Sequence, residues 1–325
     1  NNKLEKDFTF NNFKDALEFI NKVGDLLSDM YLNLKVQITE EDGLEYSFIN
    51  NLGHNIIEYV DFHIGQTRVD RQYGEWMHIW NELTLTSGRK TGYDRMVRAT
   101  GVNGPLTVYV PLQFFCCENV GLSLPLIALQ YHEVKFNFQF AAAAALSHTA
   151  GQAPTVNSIK MYVDYIYLDT EERRRFAQQS HEYLIDQVQF TGAVSKTSAA
   201  GSSQSLRLDF NHPCKELVWV ERSTTRGADT GFATDFQDRG SNGSTALLQL
   251  NGHDRFAKRP MCYFTRVQPM QHHTNVPHGD RIGVYSFGLR PEDHQPSGTC
   301  NFSRIDDATL QMTLAHANAK ANEFQ

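Results

Sequence analysis

Apolar and polar residues alternate along much of the chain with a period of two, which is typical of strands that bury one face. The clearest stretch is VKFNFQF, whose apolar positions are Val134, Phe136, Phe138 and Phe140. The same alternation predicts strands within residues 32–38, 60–64 and 106–114. These stretches together predict an all-β fold.

Strand-like stretches return in the second half of the chain. They lie at residues 206–210, 217–220, 247–250, 263–267, 284–287 and 310–314. Three Asn-Gly pairs, at 103–104, 242–243 and 251–252, predict tight turns because both residue types tolerate positive φ. Many short strands joined by glycine-rich connections predict antiparallel sandwiches or jelly rolls.

Three segments show helical spacing instead. The first predicts an amphipathic helix over residues 12–30, and the second a short helix over residues 71–83 whose aromatic stripe packs in the core. The third covers residues 169–179, where Asp169 or Thr170 can cap the amino end. It contains three consecutive arginines, Arg173, Arg174 and Arg175. Consecutive residues point to different faces of a helix, so a solvated or interface surface is favoured over an anion site.

Two connections stand out by their composition. Residues 221–244 are polar and rich in Gly, Ser, Thr and Asp, which predicts a long exposed loop. Residues 141–145 are five alanines that follow a predicted strand, and we expect a connecting loop of low complexity there. The sequence offers no function for this alanine run.

Length, composition and charge indicate a folded chain of two domains. The chain has 325 residues, of which 41% are hydrophobic and 21% charged, so it is too apolar to be disordered. Its longest apolar stretch, residues 122–129, is far shorter than the ~20 residues that cross a bilayer. The net charge of −7 lacks the positive field that attracts nucleic acid, so no direct nucleic-acid contact is expected.

Candidate catalytic and metal-binding groups are sparse. None of the common dinucleotide, P-loop, zinc-protease or hydrolase motifs occurs, so these enzyme classes have no local support in the sequence. The weak metal candidates lie close together: His272, His273 and His278, with Asp280 nearby. Their spacing matches no regular metal site, and structural or interface roles are favoured. Glu292 and Asp293 are adjacent rather than opposed across a cleft, so we expect surface charges.

The five cysteines have no spacing typical of a disulfide framework or a zinc site, which predicts free thiols in a reducing compartment. The adjacent Cys116 and Cys117 lie on an apolar stretch and are expected to be inert core thiols. Two N-x-[ST] sequons occur, at Asn242 and Asn301. Only Asn242 lies on a segment expected to be exposed, which makes it the possible glycan site.

Six blocks of the sequence occur in a characteristic order. They are GQTRVDRQYGEWMHIWNELT (65–84), LPLIALQYHEVKFNFQF (124–140), YIYLDTEERRRFAQQSHEYLID (165–186), LNGHDRF (250–256), VQPMQHHTNVP (267–277) and YSFGLRPEDHQPSGTCNFSRIDDATLQMTL (285–314). Taken together they resemble the major capsid proteins of nucleocytoplasmic large DNA viruses. The resemblance runs from about residue 52 to residue 314 and is specific, because long stretches match in the right order.

The resemblance implies two tandem eight-stranded antiparallel jelly rolls with short helices in loops and at the junction. The first would cover residues 1–170, an interdomain helix or linker residues 171–187, and the second residues 188–325. It also implies a structural protein of the virion with no enzyme activity, no catalytic residue and no cofactor. Three copies of it would form a pseudo-hexagonal capsomer in a shell assembled in the host cytoplasm. We expect protomer contacts from loops and from the interdomain helix with its three arginines.

The partners implied by the resemblance are neighbouring capsomers, penton proteins and minor capsid proteins, with a lipid layer beneath the shell. The family pattern also has additional strands before the first block and one after the last. The sequence is therefore expected to lack the first strands of one jelly roll and the last strand of the other, which would leave unpaired edges.

Two other functions fit an all-β chain of this kind. One is a carbohydrate-binding or carbohydrate-active jelly roll that uses Glu292, Asp293 and His294 in a sugar-binding groove. The other is a scaffolding protein with the same double jelly roll that stays out of the mature particle.

Overall fold

The structure is a computed structural model that describes residues 7–8, 17–20, 24–37, 49–98, 106–142, 146, 155–196, 203–223, 236, 243–314 and 322–324. The chain divides into two compact units. The first unit comprises residues 1–78 and 91–188, and the second comprises residues 79–90 and 189–325. The sequence predicts two domains that are each continuous in the chain, 1–170 and 188–325, whereas this division assigns residues 79–90 to the second unit.

The first unit is built from two antiparallel sheets. Its strands are β1 (Asp7–Phe8), β2 (Leu17–Ile20), β3 (Leu26–Gln37), β4 (Ile57–Ile64), β5 (Thr67–Tyr73), β6 (Leu106–Pro111), β7 (Leu124–Pro125), β8 (Val134–Phe140) and β9 (Thr155–Ile166). One sheet has the order β1-β9-β3-β6, with β7 also paired to β3, and the other has the order β2-β8-β4-β5. Non-consecutive neighbours dominate both sheets, so most pairings are long-range.

Alternation in β8 matches the sequence prediction. Its four apolar positions are buried and the three polar positions between them are half-buried. The ring of Phe136 stacks on Phe62 of β4 with centroids 5.0 Å apart, and Phe114 packs against both rings. Aromatic packing of this kind gives the first unit its core. The predicted strand within residues 106–114 is confirmed as far as Pro111, where β6 ends.

The predicted helix over residues 12–30 is wrong where the structure describes it. Residues 17–20 form β2, which pairs with β8, and β3 begins at Leu26. Strand β3 then pairs with β9 almost along its whole length. The apolar spacing of this segment fits a helix when considered locally, but cross-strand partners more than a hundred residues away determine its conformation.

The second unit is also built mainly from two antiparallel sheets. Its strands are β10 (Val194–Lys196), β11 (Ser203–Arg207), β12 (Pro213–Cys214), β13 (Glu216–Ser223), β14 (Thr245–Leu250), β15 (His253–Asp254), β16 (Arg259–Pro260), β17 (Ile282–Ser286), β18 (Cys300–Asn301), β19 (Ala308–Thr313) and β20 (Asn322–Phe324). The sheet orders are β10-β20-β13-β17 and β11-β19-β14-β15, with β16 also on β14. Strands β12 and β18 form a separate two-stranded ladder.

The predicted Asn251-Gly252 turn is confirmed. Leu250 pairs with His253 across β14 and β15, so the loop has two residues, with φ of 50° at Asn251 and 77° at Gly252. Positive φ at both positions is the hairpin geometry that this dipeptide favours. Of the other two pairs, only Gly243 lies within the described residues, and its φ is also positive.

Short helices connect the strands. They are α1 (Leu52–Ile56), α2 (Gly74–Thr84), α3 (Ser87–Val97), α4 (Phe115–Glu118), α5 (Thr170–Gln178) and α6 (Gln268–His272). Helices α2 and α5 lie where the sequence predicts them, but the fully buried side chains of α2 are Met77 and Leu83, while Trp76 and Trp80 are half-buried. No helix among the described residues is long and apolar enough to cross a membrane.

The predicted strand at residues 263–267 is wrong, because Tyr263–Val267 is a π-helical turn. Phe264 enters the core, while Thr265 and Arg266 both donate to Asp280. Adjacent residues of a strand point to opposite faces, so a strand could not direct both donors at one carboxylate. The helical turn therefore gives the buried Asp280 two hydrogen-bond donors and also places Phe264 in the core.

The predicted exposed loop over residues 221–244 is wrong at most of the positions that the structure describes, although Gly243 is an exposed turn residue as expected. Glu221 and Ser223 belong to β13, Glu221 is buried, and the buried Phe236 bridges to Arg222. Ser244, at the far end, is buried as well. Residues 224–235 and 237–242 lie outside the described residues, as does most of the alanine run.

Candidate functional site

A buried histidine lies between two glutamates in the second unit. His273 follows α6 directly, and its side chain is fully buried. Its Nε2 is at ion-pair distance, 2.8 Å, from Glu216 Oε2, and its Nδ1 lies 3.0 Å from Glu292 Oε1. Glu292 also accepts hydrogen bonds from the backbone N–H and the hydroxyl of Thr274. One imidazole therefore joins β13, the end of α6 and the stretch between β17 and β18.

The charges of this cluster follow from burial and proximity. Burial lowers the pKa of His273, but hydrogen bonding and Coulomb attraction from Glu216 and Glu292 more than offset it and raise that pKa to about 9. Burial likewise raises the pKa of Glu292, yet hydrogen bonds from His273 and Thr274 bring it below its ordinary value. His273 is therefore an imidazolium at neutral pH and acts as a structural cation.

The three candidate metal-binding histidines do not converge. The Nδ1 of His272 donates to the carbonyl of Leu289 at 3.0 Å, and His278 is exposed. Asp280 accepts from Arg266 at 2.7 Å. Within the part of the chain that the structure describes, no three His, Cys, Asp or Glu side chains are arranged to hold a metal ion.

The expectation that Glu292 is a surface charge is wrong. Its side chain is only 19% exposed, and both carboxylate oxygens accept hydrogen bonds from within the unit. Asp293 is exposed and His294 is half-buried. The Glu292 carboxylate therefore accepts hydrogen bonds from His273 and Thr274. Glu292, Asp293 and His294 do not present an open pair of carboxylates that could bind a sugar.

Helix α5 begins at the predicted cap. Asp169 Oδ1 accepts from the backbone N–H of Glu171 at 2.6 Å. The helix buries none of its side chains. Arg174 and Arg175 are exposed, and Arg174 lies 3.8 Å from Glu171. The predicted surface character of this helix agrees with these positions.

Arg173 differs from its two neighbours because it binds Asp25, which directly precedes β3. Its Nη2 donates to Asp25 Oδ2 at 2.7 Å, and the backbone N–H of Leu168 donates to the same oxygen at 2.9 Å. Burial raises the pKa of Asp25, but these two donors bring it below its ordinary value. The pair connects α5 to the strand region of the first unit.

The extended segment after α5 is tied to the first unit by a buried carboxyl. Asp70 Oδ1 accepts from the backbone N–H groups of Val188, at 3.1 Å, and Arg71, at 2.9 Å. The amide of Gln187 donates to the carbonyl of Val69. Burial raises the pKa of Asp70 to about 6, although the hydrogen bonds oppose this shift. Asp70 therefore fixes the chain directly before it enters the second unit.

The five cysteines are free thiols. Cys116 is buried and the other four are half-buried. A hydrogen bond with Cys117, together with burial, raises the pKa of Cys116 well above its ordinary value. The expectation of a core thiol therefore fits Cys116 better than Cys117.

The structure describes only one of the two sequon asparagines, Asn301. Asn242 lies outside the described residues. Asn301 is exposed, but its Oδ1 accepts from the backbone N–H of Ser303 at 3.0 Å and caps a short 3₁₀ turn. The Asn301 amide therefore has a structural role.

Several large apolar side chains are exposed in the single chain. Tyr131 is 94% exposed in the first unit, and Met270 and Leu289 are 74% and 73% exposed in the second. Met270 and Leu289 belong to segments that the His272–Leu289 hydrogen bond holds together. Single exposed apolar side chains are ordinary on protein surfaces, so Met270 and Leu289, which lie on joined segments, are better candidates than Tyr131 for a contact with another protein.

Two antiparallel sandwiches in one chain define a double jelly roll, an architecture that builds viral shells. The predicted all-β fold class is confirmed. The major capsid protein of Faustovirus has the same fold, with a TM-score of 0.78 over 99% of this chain and 88% of the Faustovirus chain, at only 11% sequence identity.

Sequence comparison identifies the family. The model for the large eukaryotic DNA virus major capsid protein matches residues 172–324, and the model for the major capsid protein N-terminus matches residues 3–169. The chain is 44% identical to the major capsid protein of Pyramimonas orientalis virus, over 94% of this chain and 81% of the relative. It is 40% identical to the major capsid protein of Paramecium bursaria Chlorella virus 1, over 90% of this chain and 74% of that relative.

A solved structure agrees with this result. The quasi-atomic model of the PBCV-1 virus capsid contains a chain that is 30% identical, with a TM-score of 0.79 over 99% of this chain and 92% of that one. The chain belongs to the major capsid proteins of large eukaryotic DNA viruses. It is a structural capsid protein of virions and not an enzyme.

The sequence did not reveal the charged contacts that hold each unit together. Asp25 and Arg173 are 148 positions apart, and Asp70 and Val188 are 118 apart. One signal was present: Asp70 and Gln72 are polar, yet they occupy alternating positions on the buried face of β5. Polar residues on a buried face need a hydrogen-bond partner, but the alternation of polar and apolar residues does not identify that partner.

Proposed function

We propose that three copies of this chain form a pseudo-hexagonal capsomer, and that these capsomers tile the icosahedral outer shell of a large double-stranded DNA virus. The observation that carries the proposal is a double jelly roll within a single chain that is 44% identical to a viral major capsid protein. A trimer of such chains has six jelly rolls and a near-hexagonal outline, which suits a flat facet.

The surfaces that support protomer contacts are the exposed arginines of α5 and the exposed apolar side chains. Arg174 and Arg175 lie on a helix that buries nothing within its own chain. Tyr131, Met270 and Leu289 would lose most of their exposed apolar area in a contact. We assign α5, which begins at the boundary between the jelly roll 1–170 and the linker 171–187 and is followed by the jelly roll 188–325, to the contact between protomers.

The partners that follow are other copies of this chain, neighbouring capsomers, and penton and minor capsid proteins. A lipid layer beneath the shell and assembly in the host cytoplasm belong to the same proposal. The net charge of −7 supports a shell held away from the genome, because such a chain gains nothing from phosphate neutralisation.

Native mass spectrometry of the full chain at micromolar concentration tests the trimer. The expected species has three times the monomer mass of 37.0 kDa. Electron microscopy of the same sample should show near-hexagonal particles. A monomer as the main species would refute the proposal.

A charge-reversal variant tests the assignment of α5. Arg174→Glu combined with Arg175→Glu should shift the distribution towards monomer, whereas Arg174→Lys with Arg175→Lys should retain the trimer because the charge is kept. An undiminished trimer in the reversed variant would remove α5 from the interface.

A further inference from the structure

Two of the five cysteines face each other across a short ladder in the second unit. Strand β12 pairs antiparallel with β18, and the register places Cys214 directly opposite Cys300. Directly opposed side chains share one face of a ladder, with Cβ atoms about 4.5–5.5 Å apart. Both cysteines pack against the same hydrophobic core, which independently places them on one face.

The backbone spacing at this pair suits a disulfide. The carbonyl of His212 accepts from the backbone N–H of Phe302 at 3.0 Å, one position beyond the ladder. Hydrogen-bonded and non-hydrogen-bonded pairs alternate along antiparallel strands, so Cys214 and Cys300 form a hydrogen-bonded pair with Cα atoms about 5.5 Å apart. Disulfides span Cα distances of about 4.4–6.8 Å and Cβ distances of about 3.5–4.5 Å, so the Cα spacing fits and the Cβ atoms must approach each other by about 1 Å. Rotation of the side chains and a small closure of the ladder would bring the two sulfur atoms into contact.

We propose that Cys214 and Cys300 form a cross-strand disulfide when the protein leaves a reducing compartment for an oxidising one. The bond would join β12 to β18 and close the root of the loop formed by residues 287–299. The His273–Glu292 contact already holds the middle of that loop. A capsid protein makes this passage because virions leave the cell in which they are built.

The oxidant is a small-molecule disulfide, for which oxidised glutathione is the probe. The Cys300 thiolate attacks one sulfur of oxidised glutathione, which forms a mixed disulfide and releases one glutathione thiolate. The Cys214 thiolate then attacks Cys300 Sγ and displaces the second glutathione thiolate. Two protein thiols lose two electrons and two protons, and one glutathione disulfide becomes two glutathione thiols.

Both steps need a thiolate, and burial disfavours the thiolate of each cysteine. Cys214 Sγ donates to the carbonyl of Glu216 at 3.0 Å, and burial, with the nearby Glu216 and Cys300, raises its pKa to about 12. Burial also raises the pKa of Cys300, while Arg255 opposes that shift. Disulfide formation should therefore accelerate as the pH rises from 7 to 9, because the two thiolates become more populated.

Thiol counting on the full chain tests the proposal. After incubation with oxidised glutathione, denaturation and alkylation, the number of free thiols should fall from five to three. Trypsin without reductant should release residues 208–215 linked to residues 282–304, and dithiothreitol should separate them. Recovery of both peptides alkylated at Cys214 and Cys300, or linkage of either to another cysteine, would refute the proposal.

Two variants and one exchange measurement complete the test. Cys214→Ser should stop the reaction at the first step and accumulate glutathione on Cys300, whereas Cys262→Ser should still yield the linked peptides. Absence of glutathione from Cys300 in the Cys214→Ser protein would contradict the order of steps. Amide exchange in residues 287–299 should slow on oxidation, and unchanged exchange would refute the stapling role.

Discussion

The indole of Trp219 lies across Gly283, its direct partner on the neighbouring strand. A Cβ at position 283 would lie 2.4 Å from both Cε2 and Nε1 of that ring, much closer than packed atoms approach. Trp219 is buried and packs 5.4 Å from the ring of Phe264, so it has little room to move aside. The absence of a side chain at Gly283 is what lets β13 carry a tryptophan here.

Gly283→Ala should lower the free energy of unfolding by about 1–3 kcal/mol, the usual cost of overpacking a core. Urea denaturation followed by tryptophan fluorescence measures it. Gly88→Ala in α3 is the matched control, because a Cβ there meets nothing within 4 Å and the helix gains up to about 1 kcal/mol from alanine. Equal stability of the two variants would contradict the packing described for Trp219.

His273 should make stability depend on pH in the alkaline range. Its pKa is about 9 in the folded chain against 6.5 for an ordinary histidine, so the folded state binds the proton more tightly. The stabilisation is therefore fully present below pH 6.5 and is lost as the pH rises to about 9. At about 1.36 kcal/mol per pKa unit, the loss amounts to at most about 3 kcal/mol.

His273→Gln should remove most of this pH dependence and destabilise the protein most strongly near pH 6. Urea midpoints measured from pH 6 to pH 9.5 give the difference between the variant and the parent protein. His278→Gln is the control, because His278 is exposed. A difference for His273→Gln that stays constant across this range would show that the imidazole is not charged in the folded chain.

Asp70 should make stability depend on pH in the acidic range. As with His273, the stabilisation from this group is lost as the pH rises. Burial raises its folded pKa to about 6 from 3.8, so the folded state binds this proton more tightly than the unfolded state does. The contribution of this group to stability therefore falls as the pH rises from about 4 to 6. Asp70→Asn should abolish that fall and keep an acceptor for the backbone of Val188 and Arg71.

Asp70→Ala provides the contrast, because it removes the acceptor. Hydrogen exchange at Val188 should accelerate in the alanine variant and stay near the parent rate in the asparagine variant. Similar exchange in both variants would mean that Asp70 does not hold the end of the linker.

The contact of Asp25 with α5 should depend more on the carboxylate than on the arginine. Asp25→Ala removes the acceptor for two donors, whereas Arg173→Gln leaves the Leu168 hydrogen bond in place. We expect Asp25→Ala to cost about 1 kcal/mol, the typical net value of a hydrogen bond, and Arg173→Gln to cost less. Thermal unfolding measures both, with Arg95→Gln as a control, because Arg95 is exposed on α3 of the same unit. A larger loss for Arg173→Gln would reverse this assignment.

The elements that the sequence predicted correctly are those whose pattern is local and unambiguous. Strand β8 alternates over seven residues, and α5 has a cap at Asp169 with two glutamates after it. The Asn251-Gly252 turn was predictable because positive φ at two successive positions restricts the choice of residues. In each case a few neighbouring residues determine the conformation.

The failures have a common physical cause in long-range partners. Residues 17–20 have helical spacing, but β8 provides a hydrogen-bonded partner that a helix could not use. The stretch at 263–267 forms a π-helical turn in which two adjacent residues, Thr265 and Arg266, both donate to the distant Asp280. The role of His273 depends on Glu216 and Glu292, and nothing near it in the sequence identifies them.

Residues 79–90 belong to the second unit, although the ribosome makes them about a hundred residues before residue 189. Asn275 completes this part of the second unit by bonding to the carbonyls of Leu83 and Glu82 at 2.8 and 2.9 Å. During synthesis the carbonyls of Leu83 and Glu82 are therefore made long before Asn275, which donates to them. A single cut of the chain near residue 188 would leave the carboxyl-terminal fragment without residues 79–90 and therefore without the two carbonyls to which Asn275 donates.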